Sequence, residues 1–208
     1  MNIDPHSYAE TFKHEDAVKI AARARGVEIG TRDLTPGAGA FLSFLAQVLK
    51  AQSVVEVGTA SGVGSLWLLD GMLPSGTLTS IDDEMEHSSI ARIAFSDGEI
   101  PAQRFRLITN PVMEVMTKLT DRAYDLVIYR HNPEDLPYAI AEASRILRSG
   151  GVFVIDNFFG GGKVSDPAQR DPKTVALREA GKLLRSDSEN WSTALIPLGD
   201  GLLLATKL

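Results

Sequence analysis

The sequence predicts an α/β fold, a mostly parallel β-sheet with helices packed on both faces. Three observations predict it. Apolar, β-branched runs alternate with helical segments through residues 53–157, the pattern of strand–helix–strand crossovers. The first run opens VVEVGTASGVG at 54–64, where a strand breaks into a small-residue loop and then a helix; ligands of open sheets sit at such strand ends. Two apolar runs around Gly199-Asp200-Gly201 close the chain and read as an antiparallel hairpin.

The elements follow in order. Residues 7–26 are helical in character and predict one N-terminal helix. Leu34-Thr35-Pro36 then leads into GAFLSFLAQVLK, where Phe41, Leu42, Leu45, Val48 and Leu49 recur at helical spacing. SVVEVG is a strand and VGSLWLLDGM a helix; TLTSID is a strand and EMEHSSIARIAFSD a helix. RFRLIT is a strand followed by the short helix VMEVMTKL. YDLVIY is a strand, PYAIAEASRILR a helix ending at Ser149-Gly150-Gly151, and VFVIDN a strand. FFGGGKVSDPAQRDP, with Gly160, Gly161 and Gly162 in a row, reads as a mobile substrate lid. Phe158 and Phe159 are either aromatic walls of a substrate site or core, and Trp67 and Trp191 are core or dimer contacts. A polar helix over roughly 172–186 precedes the hairpin. No repeat or linker marks a second domain. One domain over 1–208 is expected, with N-terminal helices at 1–50, a ligand-binding half at 51–157, and the lid loop, helix and hairpin at 158–208.

Composition narrows the function. The net charge of −6 argues against a nucleic-acid footprint or a polybasic membrane patch, which leaves small molecules and proteins as partners. The absence of cysteine excludes thiolate zinc sites and cysteine nucleophiles and fits a cytoplasmic address. The polar start, MNIDPHSYAETFKHED, lacks an apolar h-region, so no signal peptide is expected. No apolar run reaches the ~18 residues a membrane helix needs.

The glycine loop carries the chemistry. Its spacing is G-x-x-x-G-x-G, whereas dinucleotide sites use G-x-G-x-x-G, and it lacks the Gly-Lys-Ser/Thr of a Walker loop. It holds no positive charge, and Glu56 stands two residues ahead of it. That carboxylate repels a pyrophosphate and attracts an ammonium, so a cationic or zwitterionic ligand fits better than a nucleotide phosphate. Asp82 ends the next strand at about the ~20-residue offset at which a carboxylate grips ribose hydroxyls, with Asp83 beside it. Alone, Asp82 also reads as a helix N-cap. Together the residues ask for a ligand with an amine near Glu56 and a ribose near Asp82.

This ordered set resembles the class I S-adenosylmethionine-dependent methyltransferases. More narrowly, it resembles the catechol/caffeoyl-CoA-type O-methyltransferases, in an actinobacterial branch. The resemblance runs from Leu34-Thr35-Pro36 through Val55-Glu56-Val57-Gly58-Thr59, Thr79-Ser80-Ile81-Asp82, Tyr124-Asp125-Leu126-Val127, Leu147-Arg148-Ser149-Gly150-Gly151 and Ile155-Asp156-Asn157 to Pro197-Leu198-Gly199-Asp200-Gly201. It implies a Rossmann-like, seven-stranded sheet with a C-terminal antiparallel hairpin, S-adenosyl-L-methionine as cofactor, a small-molecule acceptor and a homodimer. It also implies that Glu56 holds the methionine amino group with help from the Gly58 and Thr59 backbone, and that Gly62 and Gly64 line the methionine end, where the family more often has serine at position 64. By the same resemblance Asp82 and Asp83 take the ribose, Asn110 contacts adenine, and Leu34 borders the cofactor.

The relatives use a divalent cation held by an Asp after strand four and an Asp-Asn after strand five, with a lysine as base. Here Asp156 and Asn157 remain, but the metal-Asp position holds Arg130 and the lysine position Pro133. A magnesium site needs carboxylates, and a guanidinium does not deprotonate. No metal is therefore expected; Arg130 is expected to pair with Asp156 or to bind an anionic substrate group. His131 is the nearest candidate base, being the residue type that titrates near neutrality. Three functions compete: metal-independent methyl transfer to a small molecule at oxygen, a catalytically silent S-adenosylmethionine- or S-adenosylhomocysteine-binding protein, and an NAD oxidoreductase, which the loop chemistry disfavours.

Overall fold

The computed structural model describes residues 4–208; the first three residues of the expected domain, and of its polar start, lie outside the described residues. The N-terminal segment forms two helices rather than the one expected, α1 (Pro5–Thr11) and α2 (Ala17–Ile29). The break is a capping event: Asp16 takes the backbone N–H of Lys19 at 2.9 Å and starts a new helix. Helix α3 (Pro36–Val48) starts where Thr35 caps it and proline occupies its first position.

Strand β1 (Ser53–Val57), helix α4 (Val63–Gly71), β2 (Thr77–Asp82), α5 (Met85–Asp97), β3 (Phe105–Thr109), α6 (Val112–Met116), β4 (Tyr124–Tyr129), α7 (Leu136–Ile146) and β5 (Leu147–Ile155) then alternate. Helix α8 (Pro172–Ser186), β6 (Trp191–Ile196) and β7 (Leu202–Lys207) complete the chain. The sheet order is β3-β2-β1-β4-β5-β7-β6, parallel through β5, with β7 antiparallel to both β5 and β6.

One boundary moved. β5 starts at Leu147, inside the segment expected to be helical, because Tyr124 pairs with Leu147 before the register shifts towards Leu126 and Val152. The Asp156-Asn157 pair thus lies just beyond the strand, with Asn157 at φ 56°.

Side-chain alternation splits the core between the two faces. Val55, Val57, Val127, Tyr129, Phe153 and Ile155 pack towards α7 and α8, and Phe158 and Trp191 join that cluster. Val54, Leu78, Leu126, Ile128, Val152 and Val154 pack towards α3 and α4. Trp67 is buried in a third cluster with Phe95 of α5 and Ala22 of α2.

One carboxylate ties distant parts of this frame together. Glu10 of α1 accepts the N–H of Gly37, at the start of α3, at 3.1 Å and that of Gly199, in the β6–β7 turn, at 2.5 Å.

Candidate active site

The carboxyl ends of β1, β4 and β5 lie side by side. The Arg130 N–H donates to the Val57 carbonyl at 2.9 Å, and the Asp156 N–H to the Tyr129 carbonyl at 3.1 Å. Strand alternation puts Glu56, Asp82, Arg130 and Asp156 on the face of the sheet that carries α4. Gly58 turns off β1 at φ 91°, where an added Cβ would lie 2.5 Å from the Arg130 carbonyl oxygen, so only glycine lets the two chains pass.

Glu56 is fully buried. Its Oε2 accepts the Ser65 hydroxyl and, at 2.8 Å, the Ser80 hydroxyl, which in turn lies 2.7 Å from the Thr59 hydroxyl. Its Oε1 has no hydrogen-bond partner among the described residues. Burial pushes this carboxyl up to about 7, against the pull of Arg130 and the two serine hydroxyls.

Asp82, one strand over, has both oxygens engaged and acceptor capacity to spare. It accepts the N–H groups of Ala60 and Glu84, each at 3.0 Å, and its Oδ1 lies 3.0 Å from Nδ1 of His87. Asp82 is not the N-cap the sequence also allowed: Glu84 caps α5 without a side-chain bond, and Asp82 instead holds the Glu84 N–H in the turn before the helix.

The Arg130 side chain is only 3% exposed and stands between two buried carboxylates. Nη1 is 3.7 Å from Glu56 Oε1, Nε is 3.4 Å from Asp156 Oδ2, and Nη2 donates to the Arg32 carbonyl at 2.7 Å. Burial pushes the Asp156 carboxyl up as well, against the pull of Arg130. The divalent-metal set of the resembling family does not fit this arrangement. A guanidinium faces Asp156, and no group of three or more His, Asp or Glu able to hold a metal exists among the described residues.

Two cavities meet here. One, of about 360 Å³, is walled by Gly58, Ala60, Asp82, Asp83, Glu84 and His87 with the 30–32 loop. The other, of about 420 Å³, has an apolar wall of Tyr129, Leu136, Ile155 and Leu177, and polar groups from Asp156, Asn157, Lys163, Lys173 and Asp200. Arg32, Arg130 and His131 line both. His131 Nε2 is 3.1 Å from Asp83 Oδ2, while its Nδ1 is buried without a partner among the described residues.

Of the residues singled out in the sequence, Gly58, Asp82, Asp83, Arg130 and His131 wall the smaller cavity. Glu56, Thr59, Gly62, Gly64 and Leu34 are buried behind that wall, and Asn110 is exposed at the end of β3, its N–H on the Asp82 carbonyl at 3.1 Å. The acceptor set fits an S-adenosyl ligand, with Asp82 and Asp83 walling the cavity and a buried carboxylate with one oxygen unpartnered among the described residues, but Arg130 stands between the cavity and that oxygen. Sequence reasoning missed Arg32, His87, Ser65 and Ser80. Ser80 carried a signal: like Glu56, it is a polar residue inside a buried strand, and the two are register partners.

A family model for O-methyltransferases matches residues 6–208. A relative from Mycobacterium sp. strain JLS, named as an O-methyltransferase, is 46% identical over 97% of this chain and 91% of its own length. A protein of Corynebacterium glutamicum is 30% identical with a TM-score of 0.89, covering 97% of this chain and 94% of that one. The O-methyltransferase TomG of Streptomyces achromogenes, solved with SAM and involved in tomaymycin synthesis, is 25% identical with a TM-score of 0.85, covering 96% and 93%. The chain belongs to the O-methyltransferase family.

Proposed function

We propose that the protein transfers the methyl group of S-adenosylmethionine to an oxygen of a small-molecule acceptor, without a divalent metal. The observation that carries this reading is the meeting of the two cavities at Arg130 and His131, one walled by Asp82 and Asp83 and the other with one apolar wall of Tyr129, Leu136, Ile155 and Leu177 facing polar groups. The TomG relative, solved with SAM, supports the choice of cofactor.

Bound in the smaller cavity, the cofactor supplies an electrophilic methyl group. The chain's own residues do the rest. Asp82 and Asp83 offer acceptors for the ribose hydroxyls, and Gly58 lets the ligand approach the backbone. In the tautomer that donates Nε2–H to Asp83, His131 keeps a lone pair on Nδ1, buried in the free chain, and on this reading a ring turn towards the acceptor lets it take the acceptor's proton. Asp83 then orients the ring and steadies its charged form. Burial pushes the Tyr129 phenol up, and that phenol donates to the Asn132 carbonyl at 2.8 Å, so it stays protonated and serves as cavity wall.

The test is methyl transfer from labelled S-adenosylmethionine to a panel of phenols and carboxylic acids. Activity should persist in EDTA, and His131→Ala should lower kcat by about 100-fold or more with little change in cofactor affinity. Activity that requires magnesium, or calorimetric magnesium binding that Asp156→Ala removes, would refute the metal-free reading. The Arg130–Asp156 ion pair where the family places a metal also favours a second reading, a cofactor-binding protein without catalysis. Cofactor binding with no product across the panel would establish that one.

A further inference from the structure

We propose that Arg130 occupies the subsite of the cofactor's ammonium group in the free protein, so that binding the amino-acid end of the cofactor must first expel the guanidinium. The inference rests on the S-adenosylmethionine reading above and adds an internal competitor to it.

Four observations point the same way. Glu56 is completely buried, with Oε2 saturated and Oε1 unpartnered among the described residues; the Arg130 guanidinium is the cation facing that oxygen. The guanidinium is itself poorly held. Among the described residues, of its polar atoms only Nη2 has a hydrogen bond, to Arg32, while Nε and Nη1 are buried without one. At 3.4 and 3.7 Å it is shared between two carboxylates and in close contact with neither. A buried ion pair repays desolvation only when its geometry and remaining hydrogen bonds are good, so this arrangement is easy to exchange.

Residue 64 supplies the third observation. A Cβ there would lie 2.8 Å from Arg130 Nη1 and closer still to Glu56 Oε1, so Arg130 has room only because position 64 is glycine. The fourth is the cavity wall. It includes Arg130 but not Glu56, so an ammonium approaching from the Asp82 side meets the guanidinium before the carboxylate. An exit is at hand: Arg130 also lines the larger cavity, where its Nε already lies 3.4 Å from Asp156 Oδ2. Cofactor arrival therefore delivers a guanidinium to the acceptor side, which couples the two sites.

Two probes separate the parts of the site. S-adenosylhomocysteine carries the amino-acid group; 5′-methylthioadenosine has the same nucleoside and lacks it. By calorimetry, Arg130→Gln should tighten S-adenosylhomocysteine by about tenfold and leave 5′-methylthioadenosine within about twofold. Unchanged or weaker S-adenosylhomocysteine binding in the variant overturns the proposal. A measurement on the wild-type chain guards against a variant that folds badly. The Arg130 Nε–H resonance should shift with S-adenosylhomocysteine and stay in place with 5′-methylthioadenosine; a resonance indifferent to both overturns the idea. If neither nucleoside binds wild type or variant, the cofactor reading itself fails and takes this proposal with it. If both bind while Arg130 does not respond, the cofactor reading stands and this proposal alone falls.

Discussion

Glu56 and Asp82 stand on adjacent parallel strands, on the same face of the sheet, yet the fold treats them oppositely. Asp82 borders a cavity and has both oxygens engaged by Ala60, Glu84 and His87. Glu56 is sealed, with one oxygen left unpartnered among the described residues and a guanidinium at arm's length. Exposure and satisfaction therefore run against each other. The carboxylate nearer solvent is built into the scaffold, and the deeper one is held short of its hydrogen-bonding capacity. A carboxylate that organises two backbone N–H groups is part of the frame. One that is buried and under-bonded is, on the proposal above, kept for a partner the free chain only partly imitates.

The largest effect that could break this contrast comes from Asp82→Ala. Removing it strands the N–H groups of Ala60 and Glu84, and urea denaturation should show a loss on the order of 2–4 kcal/mol. A loss below about 1 kcal/mol would mean that Asp82 is not scaffold.

Next in size is Gly64→Ser, which drives a side chain into the space between Arg130 and Glu56 and should cost about 1–3 kcal/mol. In the Arg130→Ala background the same change should cost clearly less, and a double-mutant cycle measures that coupling. Strict additivity would show that Arg130 does not fill this space.

The smallest effect is a slope. A carboxyl at about 7 in the folded chain and 4.5 unfolded keeps its proton longer when folded. Its contribution to stability is therefore full below about pH 4.5 and is lost as pH rises through about 7. Asp156, also raised, adds a loss of the same sign from its own ordinary value of 3.8 upward. Stability should fall between pH 5 and 7 by on the order of 1 kcal/mol per pH unit, and Glu56→Gln should flatten that slope. An unchanged slope in the variant would assign the titration to another group.

The alternation of strands and helices was legible because each element is long enough for its period to show. The break in the N-terminal helix depended on one cap, Asp16, inside a polar stretch with no periodicity to interrupt. The start of β5 depended on pairing with Tyr124, which no local pattern reports. In the site, Gly58, Asp82 and Asp83 stood out because strand ends are marked by glycine and acid. Arg130 beside Asp156 was suggested by the family resemblance, which puts Arg130 at a metal-ligand position next to the Asp156-Asn157 pair. Its approach to Glu56 was not, although counting by twos along β1 and β4 puts both residues on one face. Arg32 and His87 come from a loop and a helical first turn, where the sequence gives no sign of direction.

The Glu10 clamp has a consequence for the order in which the chain is made. Its two bonds close onto Gly37, soon after it, and Gly199, 189 residues on. Through most of translation the carboxylate can hold only the start of α3. The Gly199 turn also carries Asp200, which accepts the Gly161 N–H at 2.7 Å and walls the larger cavity. The second bond of Glu10 therefore waits for a late, high-separation closure of the kind that slows folding, and a nascent chain halted before residue 199 lacks both that bond and the Asp200 wall of the larger cavity.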